Sequence, residues 1–293
     1  MSLLAALAGL LVALQAVFLL GYVALLVIRR DRAALRNGVA ASRPLDDLAR
    51  SPLWWRRAEA ARLSGSVARL GDRELLRRLL DDPHPAVQCA ATTSLEPLVD
   101  AVIVGELLDR LPERSMAVRL QQSRLLNDAL ALTTPALLHR LSADASPRRL
   151  KSWIALVESI RSPALFARVA QLHSHPDPLI RLSVARALKR YRNPEAEEVL
   201  LIALHDHDWR VRAVAARSLG TLGNASAVPR LAVGMRDVRW WVRFRCGLAL
   251  AQLGDEGRRT LVDARRDADR YAGEMATMIS GLSPDSVLEL AEG

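Results

Sequence analysis

Arg57, Arg119, Arg181, Arg212 and Arg243 are separated by 31 residues or by twice 31. A guanidinium presents a rigid fork of N–H donors that matches a carboxylate or a phosphate. A column of them points to an acidic partner, to phosphates, or to ion pairs within the chain. Asp177 and Asp208 stand four residues before Arg181 and Arg212. Trp54-Trp55 and Trp240-Trp241 share two neighbouring columns, and Trp209 falls in the first of them. An arginine follows the second member of each pair within two residues. Trp and Arg anchor many interfaces, and an arginine laid on an indole is also ordinary packing. His173 and His175 precede His205 and His207 by 32 residues, with Asp177 and Asp208 nearby. Stacked loops could bring them together around a metal. Polar turn residues before helices give the same pattern, and no metal is expected. No Gly-rich phosphate loop, nucleophile elbow or paired cysteine motif is present, so neither a catalytic residue nor a cofactor is expected. The sequon Asn224-Ala-Ser226 is of no consequence in a cytoplasmic loop.

The elements that would hold these side chains follow from the same interval. Stepping by 31 from Arg56 gives Val87, Val118, Arg149 (or its neighbour Leu150), Ile180, Val211 and Val242. Four residues on lie Ala60, Ala91, Gln122, Trp153, Val184, Ala215 and Cys246; eight on, Ser64, Leu95, Leu126, Val157, Leu188, Leu219 and Leu250. Together with the column eleven on (Val67 to Leu253), these offsets trace one face of an α-helix. Twenty residues on, every position is Leu or Val, from Leu76 through Leu200 and Leu231 to Val262, which marks a second helix in each unit. Gly71-Asp72, Asn193-Pro194, Gly223-Asn224 and Gly254-Asp255 supply turns between the helices. The pattern predicts an all-α protein: an α-solenoid of about seven 31-residue helix pairs over 52–266, with a C-terminal capping helix over 267–293. Leu200 and Leu231 are expected in its core. Trp240, about 200° round the helix from the core column, is expected to be more exposed than Trp241.

The motif Asp, Val-Arg-x-x-Ala-x-x-Ser-Leu-Gly, then a second helix, resembles the short HEAT-like repeats named after phycobilisome lyases. The units around Val211 and Val242 match best. The resemblance implies antiparallel helix pairs in a stack, with Asp and Arg forming a ladder of ion pairs along it. It also brings in two enzyme types as alternatives. Phycobilin lyases share the repeat, and alkylpurine DNA glycosylases use HEAT-like stacks with Trp, Asp and Arg. Trp209, Trp240, Trp241, Asp208, Arg212 and Arg243 could supply those residue types.

The composition fits this reading. Apolar residues make up 51% of the 293, aromatics only 4%, and Ala and Leu dominate. The net charge is +9, with Arg far outnumbering Lys. Cys89 and Cys246 fall in predicted helices and do not suggest a disulfide framework. Leu3 to Ile28 carries no charge and is followed directly by Arg29, Arg30, Arg32 and Arg36. Such an order reads as an uncleaved transmembrane helix over 1–28, a basic juxtamembrane linker over 29–51 and a cytoplasmic solenoid, with the N-terminus outside. Ala5, Gly9, Ala13 and Gly21 recur every fourth residue or a multiple of it, as a helix-packing face would. The four arginines would contact anionic lipid headgroups. The expected function is a membrane-tethered, non-catalytic scaffold. Its partner-binding residues would be Trp54, Trp55, Arg57, Arg119, Arg181, Trp209, Arg212, Trp240, Trp241 and Arg243. The expected partner is a protein, either a membrane protein or a membrane-associated enzyme. The family resemblance offers a glycosyltransferase as an example, and nucleic acid is not expected.

Overall fold

The computed structural model describes residues 42–67, 72–142, 145–160 and 162–292. All regular structure among them is helical. After α1 (Ser42–Ala49), first and second helices alternate. The first helices are α2 (Trp54–Val67), α4 (Pro85–Ser94), α6 (Met116–Asp128), α8 (Pro147–Ser159), α10 (Pro178–Leu188), α12 (Trp209–Leu222), α14 (Trp240–Gln252) and α16 (Arg270–Ser280). The second helices are α3 (Asp72–Leu79), α5 (Ala101–Arg110), α7 (Leu130–Arg140), α9 (Phe166–Gln171), α11 (Pro194–Ala203), α13 (Val228–Gly234), α15 (Gly254–Ala264) and α17 (Pro284–Glu292). From α2 to α14 each first helix starts 31 residues after the last; α16 starts 30 after α14.

Local chemistry fixes these starts. Pro85, Pro147 and Pro178 open their helices, where a missing N–H costs nothing. Asp177, Asp208 and Asp269 cap α10, α12 and α16 by accepting N–H groups of the first turn. Gly223, with φ of 81°, closes α12 in the left-handed region that a side chain would resist.

The chain divides into two compact units, Met1–Ile103 with Arg114–Leu125, and Val104–Glu113 with Leu126–Gly293. In the first, α2 packs on α1, α3 and α4. In the second, each first helix packs on the next, α8 on α10, α10 on α12 and α12 on α14, while α11 and α13 back onto α12 and α14. Gly220 lets α12 approach α14: a Cβ there would meet the Ala249 Cα at 2.9 Å.

The core columns hold. Val87, Val118, Leu150, Ile180, Val211 and Val242 are buried, and so are Leu76, Leu107, Val169, Leu200 and Leu231. The second-helix column fails at two places. In α7 the fully buried residue is Leu137 rather than Leu138. In α15 Val262 is 56% exposed and Leu261 is buried in its stead. Both are one-residue shifts of register. Residues 267–293, expected as one capping helix, form two, α16 and α17, and Gly273 lies in the α16 core face beside Ala272 and Ala276.

The membrane localisation is corrected. Among the described residues no helix is long and apolar enough to cross a membrane. The longest of them, α2 and α12, have 14 residues, about 21 Å of helix against the roughly 30 Å of a hydrocarbon core. The expected span over 1–28, its face of Ala5, Gly9, Ala13 and Gly21, and Arg29, Arg30, Arg32 and Arg36 lie outside the described residues.

Candidate functional site: an arginine ladder, an aromatic edge and a basic groove

The arginine column is an internal ladder. Arg181 Nη1 donates to the carbonyls of His175 (2.8 Å) and Pro176 (3.0 Å) in the loop before its own helix. Its Nε and Nη2 grip Asp206 at 2.7 and 2.8 Å. Arg212 repeats this one unit later, with the carbonyls of Asp206 (2.8 Å) and His207 (3.2 Å) and the carboxylate of Asp237 (2.7 and 2.9 Å). Arg57 does the same with Ser51, Pro52 and Asp82. Each arginine thus ties the loop before its helix to the loop before the next first helix. The Asp that it grips lies 25 residues ahead. Each of these carboxylates also accepts the N–H two residues on, from His84, Asp208 or Arg239. Burial raises the carboxyl pKa of Asp82, Asp206 and Asp237, but the arginine and backbone hydrogen bonds outweigh it and hold all three below the ordinary range.

The ladder expected from Asp177 and Asp208 is therefore corrected. Asp177 caps α10 through the Leu179 N–H, and Asp208 caps α12 and pairs with Arg210 at 2.6 Å. That Arg210 contact, despite some desolvation, takes the Asp208 pKa down to about 2. An Asp that is already capping its helix faces the N–H groups of that first turn and cannot also reach round to the arginine four residues on. The true acidic column was present in the sequence as Asp82, Glu113, Asp144, Asp206 and Asp237, at the same period of 31. Asp144, the counterpart for Arg119, lies outside the described residues; Arg119 Nη2 reaches the Met116 Sδ at 3.7 Å. Where the arginine column holds Leu150, the acidic column holds His175. Its Nδ1 accepts the Asp177 N–H at 3.0 Å, taking over the aspartate's turn contact without its charge. His173 bonds to the Ala170 carbonyl, and His205 and His207 are exposed. Among the described residues no group of three or more His, Cys, Asp or Glu is placed to hold a metal ion.

Trp54 and Trp55 in the first unit, and Trp209, Trp240 and Trp241 in the second, stand at the starts of first helices, whereas Trp153 is buried within α8. Trp54 is exposed and stacks on His84 with ring centroids 4.2 Å apart, while Trp55 is half-buried with Arg56 over its ring at 5.7 Å. Trp209 is half-buried. At α14 the expectation for the second pair fails: Trp240 is 44% exposed and Trp241 52%. The reason is within the helix. Trp240 folds back onto Phe244, stacked at 4.9 Å, and Trp241 meets the Trp240 ring edge-on at 4.9 Å, so the later residue is left outside.

At the other end of the first helices the second unit carries a groove of about 1090 Å³. Leu222, Leu261, Ile279 and Val287 contribute apolar lining, and Arg190, Arg192, Arg217 and Arg258 also border it. Arg245, beside it, donates to the Leu290 carbonyl; burial and the nearby charge of Arg217 lower its pKa. Sequence reasoning missed this groove although part of its lining repeats at 31 (Lys189, Gly220, Ala251 and Leu282; Arg190, Thr221 and Gln252), because these positions lie at the ends of the first helices, outside the core-face columns that were followed.

Comparison with known proteins supports the repeat reading. The family model for HEAT repeats matches residues 197–278. No curated protein matches the chain. Among solved structures, a chain of the complex in which Kap95p binds RanGDP is similar at a TM-score of 0.56 and 13% identity, over 92% of this chain. This chain spans 46% of that one. Human deoxyhypusine hydroxylase is similar over 85% of this chain and 96% of its own, at 19% identity and a TM-score of 0.34. The complex of CpcE and CpcF of phycocyanin lyase from Nostoc is similar over 83% and 93%, at 18% identity and a TM-score of 0.33. The first of these likenesses shows a shared helical-repeat fold.

Proposed function

We propose that this chain is a non-catalytic scaffold that binds an acidic protein surface along the groove of its second unit. The groove is the observation that carries the reading. It opens to solvent, Leu222, Leu261, Ile279 and Val287 line it beside polar groups, and Arg190 and Arg192 border it, both exposed and in no ion pair among the described residues. A repeat stack offers such a continuous surface because each unit buries its apolar face only against its neighbours. The forks of Arg57, Arg181 and Arg212 are occupied by Asp82, Asp206 and Asp237, which favours the groove over that column as the contact surface. The likeness to the Kap95p complex agrees with a binding role, since that protein is described as binding RanGDP.

The test is reversal of the rim. In the full chain, Arg190→Glu with Arg192→Glu should leave the thermal midpoint unchanged, because both side chains face solvent. It should abolish crosslinking of the native partner to a photoreactive residue placed at the exposed Leu288. Unchanged crosslinks would refute the groove as the binding surface.

A further inference from the structure

Arg243 stands at the end of the ladder with its fork open. Its Nη1 is placed like the others, donating to the carbonyls of Asp237 (2.8 Å) and Val238 (3.3 Å). Its Nε, which in Arg57, Arg181 and Arg212 binds a carboxylate at 2.6–2.7 Å, is buried without a partner among the described residues. The residue as a whole is only 8% exposed. Twenty-five residues ahead stands Ala268. The neighbouring Asp267 keeps the turn contact, accepting the Asp269 N–H at 2.8 Å, but gives its carboxylate to Arg236 at 2.7–3.2 Å. Over the guanidinium lies the ring of Tyr271, 5.0 Å away and itself exposed.

A second feature points the same way. Asp177, Asp208 and Asp269 cap their helices, but the N-cap of α14 is Arg239, which makes no capping bond. The positive end of α14 is left unanswered. Around it Val238, Trp240 and Trp241 form an exposed apolar patch, with Val238 87% exposed.

We propose that Arg243 is the receptor for a carboxylate brought by a protein partner: an Asp or Glu side chain flanked by apolar residues that lie on Val238, Trp240 and Trp241. The incoming carboxylate displaces the Tyr271 ring and completes the rung that Asp206 and Asp237 complete elsewhere. This deepens the scaffold reading and rests on it. It places a second contact at the opposite end of α14 from the groove, about 20 Å away along a 13-residue helix. A nucleic-acid strand fits less well. The guanidinium of Arg243 and the exposed one of Arg239 do not make a track for a polyanion, because Asp237, Asp267 and Asp269 lie in the adjoining loops, and Trp240 already has a face stacked on Phe244.

The experiment is selection of a random dodecapeptide phage library on the full chain. Enriched peptides should carry an Asp or Glu beside Leu, Phe or Trp. Binding of a selected peptide should fall about tenfold or more when its acid is made an amide, the effect of losing one charge-assisted pair. Arg243→Gln should weaken it as much. Because that variant also removes two loop hydrogen bonds, Val238→Glu serves as the independent variant: it lies at the surface and sets a like charge against the peptide. Tyr271→Ala should tighten binding by uncovering the fork. Arg190→Glu with Arg192→Glu should have no effect on it. Acid-free peptides, or acidic ones indifferent to both Arg243→Gln and Val238→Glu, would overturn the proposal. If those peptides are lost with the groove variant, the scaffold reading survives and only the Arg243 site falls. Preferential binding of a single-stranded oligothymidine at this edge would also overturn it.

Discussion

The rungs at Arg212 and Arg243 are one repeat apart and differ by a single carboxylate. Both arginines donate to two carbonyls of the preceding loop, and both lie in the N-terminal turns of long first helices. Arg212 then meets Asp237, whereas Arg243 meets an aromatic ring. The difference coincides with a register slip: α16 begins 30 residues after α14, and Leu261 replaces Val262 in the core. A one-residue shortening of the repeat thus turns a structural cation into an open one.

The slip itself gives the largest predicted effect. Leu261→Ala should cost about 2–5 kcal/mol in chemical denaturation, as deletion of a core leucine does. Val262→Ala should stay within about 0.5 kcal/mol. Equal costs would mean that α15 follows the regular period and that the comparison is false.

Next come the arginines. Arg212→Met leaves the half-buried Asp237 carboxylate without its guanidinium and should cost about 2–3 kcal/mol. Arg243→Met loses its carbonyl hydrogen bonds but strands no acid, and about 1–2 kcal/mol is expected. Urea unfolding of the two variants side by side measures the difference, and it should vanish if Arg243 is already paired.

Acid gives a smaller, graded effect. Asp82, Asp206 and Asp237 all have folded pKa values below the ordinary range. Their unfolded counterparts, near 3.9, therefore take up protons first as pH falls. The stability they contribute is complete above about pH 5 and is lost as pH drops through their folded values. Thermal midpoints from pH 7 down to pH 2 should show that loss, and Asp237→Asn should flatten the curve. An unaltered curve in the variant would remove Asp237 from the ladder.

The smallest effect concerns Arg236. It is exposed, and its removal frees Asp267 to compete for Arg243. Arg236→Ala should weaken acidic-peptide binding a few-fold without moving the thermal midpoint. Stronger binding in the variant would show that Asp267 does not compete for Arg243.

Much of the fold was legible because a repeat states its core several times over. Columns at a period of 31 gave the helix pairs and the burial of Leu200 and Leu231, but they land on Arg149, and only the structure shows that its neighbour Leu150 is the buried residue. The candidate site was less legible. The arginine column was visible, but its acid was sought four residues away, on the same helix. The real partner lies across a whole second helix, and only folding brings positions 25 apart within hydrogen-bond reach. Trp241 was expected inside from its angle on the helix. It is outside because Trp240 took the face of Phe244 first.

The sequence by itself determined the helical pairs, their period, their buried faces and the positions of the arginines, since each follows from local spacing that is repeated along the chain. Tertiary structure alone decided which acid each arginine meets, that Arg243 pairs with none among the described residues, and that a basic groove opens at the far end of the first helices. Those outcomes depend on distances between units, and a slip of one residue, invisible in any single helix, moves a side chain by about 100° and changes its neighbours.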